Sequence, residues 1–150
     1  MIRRATQEDI PAVVELFERS FGTLTFLPRL HTREEHVAFF GGLLQKQELW
    51  VFEDDDGMLE GFTAISDMLD HLYVEPDAFG TGVGDALFEH ATSRRPDGFT
   101  FLVFQQNARA RRFYERHGCR AIEFTDGAFN EEKTPDVLYE WQPKPRPQEA

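Results

Sequence analysis

The chain has 150 residues, 41% hydrophobic and 29% charged, with one cysteine and a formal net charge of -11. This size suits one domain with a real core and leaves no room for two of ordinary size, and the composition excludes whole-chain disorder. The acidic balance disfavours nucleic acid; on charge alone it reads as serving solubility, though it would also favour a cationic substrate such as an amine, and a lone Cys119 excludes an intrachain disulfide. No apolar run reaches a membrane span and no apolar leader opens the chain, so a cytoplasmic protein without a membrane partner is expected.

In chain order, Ile2–Ala5 predicts a short strand. Thr6 is placed as an N-cap with Asp9 three residues on, and Val13, Leu16, Phe17 and Phe21 recur at helical spacing, so residues 7–20 are expected to form an amphipathic helix. Pro11 falls in its first turns, where proline is tolerated. Thr32 caps a second helix with Val37, Phe39, Phe40, Leu43 and Leu44 on its apolar side. Leu49–Phe52 and Leu59–Ile65 form a hairpin around Asp54-Asp55-Asp56-Gly57. The three aspartates are consecutive rather than alternating, so they read as a solvated turn and no metal site is expected.

Residues 68–75 predict a strand that Pro76 stops, followed by a glycine loop and a helix carrying Ala86, Leu87, Phe88 and Ala91. Pro96-Asp97-Gly98 turns the chain into Phe99–Phe104, an apolar run fit for a central buried strand. Ala108–His117 is helical with Gly118 as its cap, and Ala121–Thr125 and Val137–Trp141 are the last strands. Residues 1–142 thus form one mixed α/β (α+β) domain, about seven strands in a largely antiparallel central sheet with about four flanking helices. Residues 143–150 form a proline-rich tail.

The chemistry starts at Gly80-Thr81-Gly82-Val83-Gly84. A glycine loop between a strand and a helix lets successive N–H groups converge on a diphosphate at the positive end of the helix dipole. A Walker loop would end in Gly-Lys-Ser/Thr, whereas Gly84 is followed by Asp85-Ala86; a dinucleotide fingerprint would need glycine where Asp85 stands. A plain turn needs fewer glycines than this loop holds.

The stretch Leu72-Tyr73-Val74-Glu75-Pro76 through Gly80-Thr81-Gly82-Val83-Gly84 resembles the central motif of the GNAT acetyltransferase superfamily. A second stretch, Asn107-Ala108-Arg109-Ala110-Arg111-Arg112-Phe113-Tyr114-Glu115 to Gly118, resembles that family's later helix in order and separation. One position departs: Phe79 stands where the family usually has Gln or Arg.

The resemblance implies a GNAT-like fold in which the strand at 68–75 and the strand at 99–104 splay apart around the pantetheine arm of acetyl-CoA. It implies backbone contacts from Leu72 and Val74, with Tyr73 between them, and a diphosphate cradle of Gly80, Thr81, Gly82, Val83, Gly84 and Asp85. Asn107 and Phe113 would flank the pantetheine, and Tyr114 would be the acid. Asp70 is the first candidate for the base, with His71 as the alternative. Strand alternation places Asp70 on the face of Leu72 and Val74, and His71 on the opposite face. Acceptor contacts are expected from His31, beside Thr32, and from Asn130, Glu131, Glu132 and Asp136 in the loop before the last strand. The implied activity is transfer of acetyl from acetyl-CoA to a primary amine of a small molecule; the alternatives are a protein or peptide amine, or a catalytically silent CoA-binding module. Relatives often pair through their later strands, so a homodimer is one arrangement the resemblance allows.

Overall fold

The computed structural model describes residues 1–144; most of the expected tail lies outside these residues. The elements follow the predicted order: β1 (Ile2–Arg4), α1 (Ile10–Phe21), α2 (Arg33–Lys46), β2 (Glu48–Glu53), β3 (Leu59–Ile65), β4 (Leu69–Val74), α3 (Val83–Arg94), β5 (Phe99–Phe104), α4 (Ala108–Arg116), β6 (Arg120–Phe124) and β7 (Asp136–Trp141). The anticipated first helix is split. Gln7–Asp9 forms a 3-10 turn, in which the Asp9 carboxylate accepts from the Thr6 N–H at 2.8 Å, and the α-helix starts at Ile10 with Pro11 in its first turn. Thr32 caps α2 as expected, accepting from the Glu35 N–H at 3.2 Å.

The seven strands divide into two antiparallel sheets, β1-β2-β3-β4 and β5-β7-β6. β4 and β5 approach each other without forming a ladder, so the predicted splay is present as an edge-to-edge gap. The first sheet lies between two layers. Ile10, Val13, Leu16 and Phe17 of α1 and Phe40 and Leu43 of α2 pack with Val51, Phe62 and Ala64 on one face. Val83 and Leu87 of α3 pack with Leu72 and Val74 on the other. Gly61 permits this close approach, since a Cβ there would meet Leu87 Cδ1 at 2.7 Å. The second sheet covers Phe88 and Ala91 of α3 and Tyr114 of α4 with Phe101, Val103, Val137 and Tyr139.

Two expectations about burial are corrected. Phe99–Phe104 is an edge strand of its sheet, not a central one: Phe99, Phe101 and Val103 are buried, while Leu102 is 55% exposed. Its second apolar face looks toward a cleft instead of a neighbouring strand, which a continuous apolar run cannot reveal. On α2 only Phe40 and Leu43 are fully buried, and Val37 and Phe39 face outward at 38% and 50% exposure.

The ladder between β3 and β4 also carries a bulge. Ala64 pairs with His71 and Ile65 with Leu69, so Asp70 is an extra residue with no partner opposite. A bulge re-aims the side chain it inserts. Asp70 therefore leaves the face that alternation assigned it: it lines the same cleft as His71, apart from Leu72 and Val74.

Candidate functional site

Two clefts meet at Tyr73, each of about 880 Å³. One lies between the β4 end, the glycine loop and the start of α4. The other lies between α1, α2, β4 and the β6–β7 loop. The α1–α2 loop borders both, giving Thr23 to Phe26 to the first and Pro28 to His31 to the second.

The first cleft is built around backbone. Gly80 and Gly82 sit at φ of +77° and +94°, left-handed conformations that glycine adopts without strain. Thr81 Oγ donates to the Ala78 carbonyl at 2.5 Å and fixes the turn. Val83 is buried against Ala78 and Leu87, so its side chain anchors the loop. Among the described residues, the N–H groups of Gly80, Gly82, Val83, Gly84 and Asp85 have no acceptor in the chain; the first helical bond is Ala86 N–H to Gly82 O at 3.0 Å. Five unpaired donors at the positive end of a helix make an oxyanion cradle, so the residues fit a diphosphate. A Cβ at Gly84 would come within 3.2 Å of the Phe113 ring, which ties α4 against the loop.

Asp85 does not spoil the cradle's charge. Its carboxylate faces His117 Nε2 at 2.7 Å and Arg116 at 3.3 Å, and that hydrogen bond from His117 holds it below the usual carboxylate range. The first cleft is also lined by Arg109 and Arg112, which have no carboxylate partner among the described residues. The Arg109 guanidinium lies 4.3 Å over the Phe79 ring, a cation–π contact. Phe79, where the family's Gln or Arg is missing, thus holds an arginine from α4 at the cradle's entrance. The sequence motif contained Arg109 and Arg112 but gave no sign of this stacking across thirty positions.

Asn107 caps α4 through its Oδ1, which accepts from the Ala110 N–H at 3.2 Å, and the residue lines the first cleft. Tyr114 is buried beside Phe101, with ring centroids 4.4 Å apart, and it lines the first cleft. Burial raises its hydroxyl above the ordinary tyrosine range, and neighbouring Tyr73 adds to this, so Tyr114 keeps its proton at neutral pH. Tyr73 is raised by burial and then by the charge of Glu132. Cys119 is buried and its thiol is pushed up to about 12, so it is no nucleophile.

The second cleft is built from side chains. Asp70 Oδ2 accepts from Ser66 Oγ at 2.5 Å. His71 packs edge-on against Phe39 and Phe40 at 5.6 Å, and this burial pushes its imidazole down to about 4. It is neutral at pH 7 and a weak base. His31 bridges two segments far apart in sequence: Nδ1 meets Glu35 at 3.1 Å, and Nε2 bonds Glu131 of the β6–β7 loop. Glu132 lines the cleft as well. Asn130 does not. Its amide donates to the Thr134 carbonyl at 2.6 Å and to Asp136 at 3.1 Å, and it accepts from the Thr134 N–H. It holds the loop's shape, as does Asp136, which is buried there.

The geometry has relatives. Residues 45–119 match the model of the acetyltransferase (GNAT) domain. The chain belongs to the GNAT acetyltransferase family. This acetyltransferase is 33% identical over 121 residues to the peptidyl-lysine N-acetyltransferase YjaB of Salmonella typhimurium, covering 79% of this chain and 82% of that protein. It is 30% identical over 126 residues to the peptidyl-lysine N-acetyltransferase YiaC of Escherichia coli, covering 82% of this chain and 85% of that protein. The solution structure of apo-form YjaB from Escherichia coli superposes with a TM-score of 0.77 at 30% identity, covering 93% of this chain and 95% of that one. The chain is an acetyl-CoA-dependent N-acetyltransferase by this kinship.

Proposed function

We propose that the acetyl group goes from acetyl-CoA to the side-chain amine of a lysine in a polypeptide. The observation that carries this reading is the cleft beyond Tyr73. Carboxylates line it, and its rim exposes Leu30, Phe39 and Leu102 at 47%, 50% and 55%. Exposed apolar rim residues suit a polypeptide better than a small polar metabolite. The two peptidyl-lysine relatives favour it over the small-molecule amine that the sequence suggested first.

Acetyl-CoA supplies the thioester-linked acetyl group. The unpaired N–H groups of Gly80, Gly82, Val83, Gly84 and Asp85 would hold its diphosphate, and Arg109 and Arg112 would neutralise phosphate charge at the entrance. The free edge of β4, at Leu72 and Val74, would pair with the extended arm. Asp70, through the oxygen that Ser66 leaves free, takes one proton from the lysine ammonium. The freed nitrogen forms the new C–N bond as the C–S bond breaks. Tyr114 Oη gives its proton to the departing sulfur, and the second nitrogen proton returns to Tyr114. Asp70 releases its proton to solvent, so the protons balance.

The test is incubation of the protein with acetyl-CoA and either lysine peptides or a panel of small amines, followed by mass spectrometry. Peptide acetylation on lysine Nζ is expected. A small amine turned over far faster than every peptide would overturn the reading, and CoA binding without any turnover would return the chain to the silent-module alternative.

A further inference from the structure

The charges of the acceptor cleft are almost all spoken for. Glu18 holds Arg33 and His36, at 2.7 and 3.1 Å. Glu75 holds Arg19 at 2.7 Å. Glu35 and Glu131 share His31. Glu15 reaches Arg33 at 4.0 Å, and Asp70 accepts from Ser66. Among the described residues, two charged lining groups remain without an ion pair or a side-chain hydrogen bond, and they have opposite signs: Arg29 and Glu132.

Their placement is complementary. Glu132 is half-buried, and its charge acts on Tyr73, the residue common to both clefts. Arg29 is exposed on the α1–α2 loop, with one guanidinium nitrogen 3.6 Å from where a Cβ on Gly22 would stand. The His31–Glu131 bond brings the two loops together. Arg29 is two residues before that bridge and Glu132 one residue after it, so each backbone lies within roughly 7 Å of contour from it. A short extended peptide can meet both.

The unpaired arginine is informative because of the chain's composition. Acidic residues outnumber Lys and Arg by 27 to 16, so an arginine on this surface has carboxylates in excess to choose from. Arg29 takes none. The anion it suits comes from outside the chain, and the cleft that Arg29 lines is the acceptor's rather than the nucleotide's.

We infer that the acceptor cleft selects a lysine with an acidic residue close to it in sequence: Glu132 draws in the ammonium, and Arg29 binds the neighbouring carboxylate. This inference rests on the peptide-lysine reading above. It makes Arg29 a specificity residue that no motif marks.

The experiment compares kcat/KM for lysine peptides whose flanking positions carry Glu, Gln or Lys, using the full chain and acetyl-CoA, alongside peptide Kd by fluorescence anisotropy. The Glu-flanked peptide is expected to lead the Gln-flanked one by about two- to fivefold, the range of an exposed ion pair. Arg29→Glu should reverse the order in favour of the Lys-flanked peptide, in Kd as well as in kcat/KM. Glu132→Gln should weaken all peptides alike and keep their order, with CoA affinity unchanged. The same flank order in Arg29→Glu as in the parent would overturn the role of Arg29, and unchanged peptide Kd in Glu132→Gln would overturn that of Glu132. If the parent acetylates no lysine peptide but does acetylate a small amine, the peptide-lysine reading itself falls, and this inference with it.

Discussion

The cleft proposed for the donor and the cleft proposed for the acceptor differ in what they are made of. The donor cleft is mostly backbone: five unpaired N–H groups over six consecutive residues, supported by glycines and one buried valine. The acceptor cleft is mostly side chains, drawn from α1, the α1–α2 loop, α2, β4 and the β6–β7 loop. A backbone cradle accepts one kind of ligand and needs only a few residue types, chiefly glycine. A side-chain cleft can be retuned one residue at a time. In the proposed function the two clefts serve the two halves of one reaction, so these halves are open to change at different rates, with the donor side fixed and the acceptor side adjustable.

Substitutions can break this comparison, and the largest effect is expected at the buried tyrosine of the first cleft. Tyr114→Phe should lower kcat by about 100-fold, the lower end for loss of a general acid, while CoA affinity by calorimetry stays the same. Equal turnover in variant and parent would remove Tyr114 from the proton path. On the donor side, Gly82→Val should weaken CoA binding by about tenfold or more, because a β-branched residue is strained at a φ of +94°. The same variant should leave the affinity for lysine peptides alone; a loss on both sides would mean that the cradle and the acceptor cleft are not independent.

Phe79→Ala is expected to weaken CoA binding by about threefold, matching an exposed cation–π contact of somewhat under 1 kcal/mol. The effect should vanish when Arg109 is already alanine, since Phe79 acts by holding that guanidinium. Additive losses in the double variant would separate the two residues.

The smallest effect is a pH dependence confined to the acceptor side. Hydrogen bonds that the His31 imidazole donates to Glu35 first, then to Glu131, raise it above its ordinary value. The charged bridge is complete below about pH 6.5, the unperturbed value, and is lost as pH rises through the raised folded value. Peptide KM should therefore rise by about twofold above that point, an effect of the size of an exposed pair, and CoA affinity should not follow it. His31→Gln should flatten this dependence; an unchanged profile in that variant would exclude the bridge as its source.

The same contrast explains what could be read from the sequence. Element order and the cradle were legible because their signals are local: helical spacing at Val13, Leu16 and Phe17, Pro76 as a stop, and alternating glycines from Gly80 to Gly84. Asn107 and Tyr114, picked out by a motif within one helix, both line the first cleft. The acceptor side depends on pairings that no local pattern encodes. Asp70 changes cleft because one residue of β4 is unmatched in the ladder. Asn130 lies in the expected loop, but its amide is used up in holding that loop. Arg29 stands out only when the partners of every other charge in the cleft are known. Phe99–Phe104 read as central because an apolar face toward a cleft and one toward a neighbour have the same composition.

The gap between β4 and β5 has a consequence for handling the protein. Among the described residues, each of the two strands presents an unpaired ladder edge to the other across the middle of the fold. Such edges are templates for any extended chain. Filling the gap with an arm that pairs with β4 and β5 would join the two sheets into one continuous unit. Amide hydrogen exchange along Leu69–Val74 and Phe99–Phe104 should then slow together, and self-association through these edges should decrease.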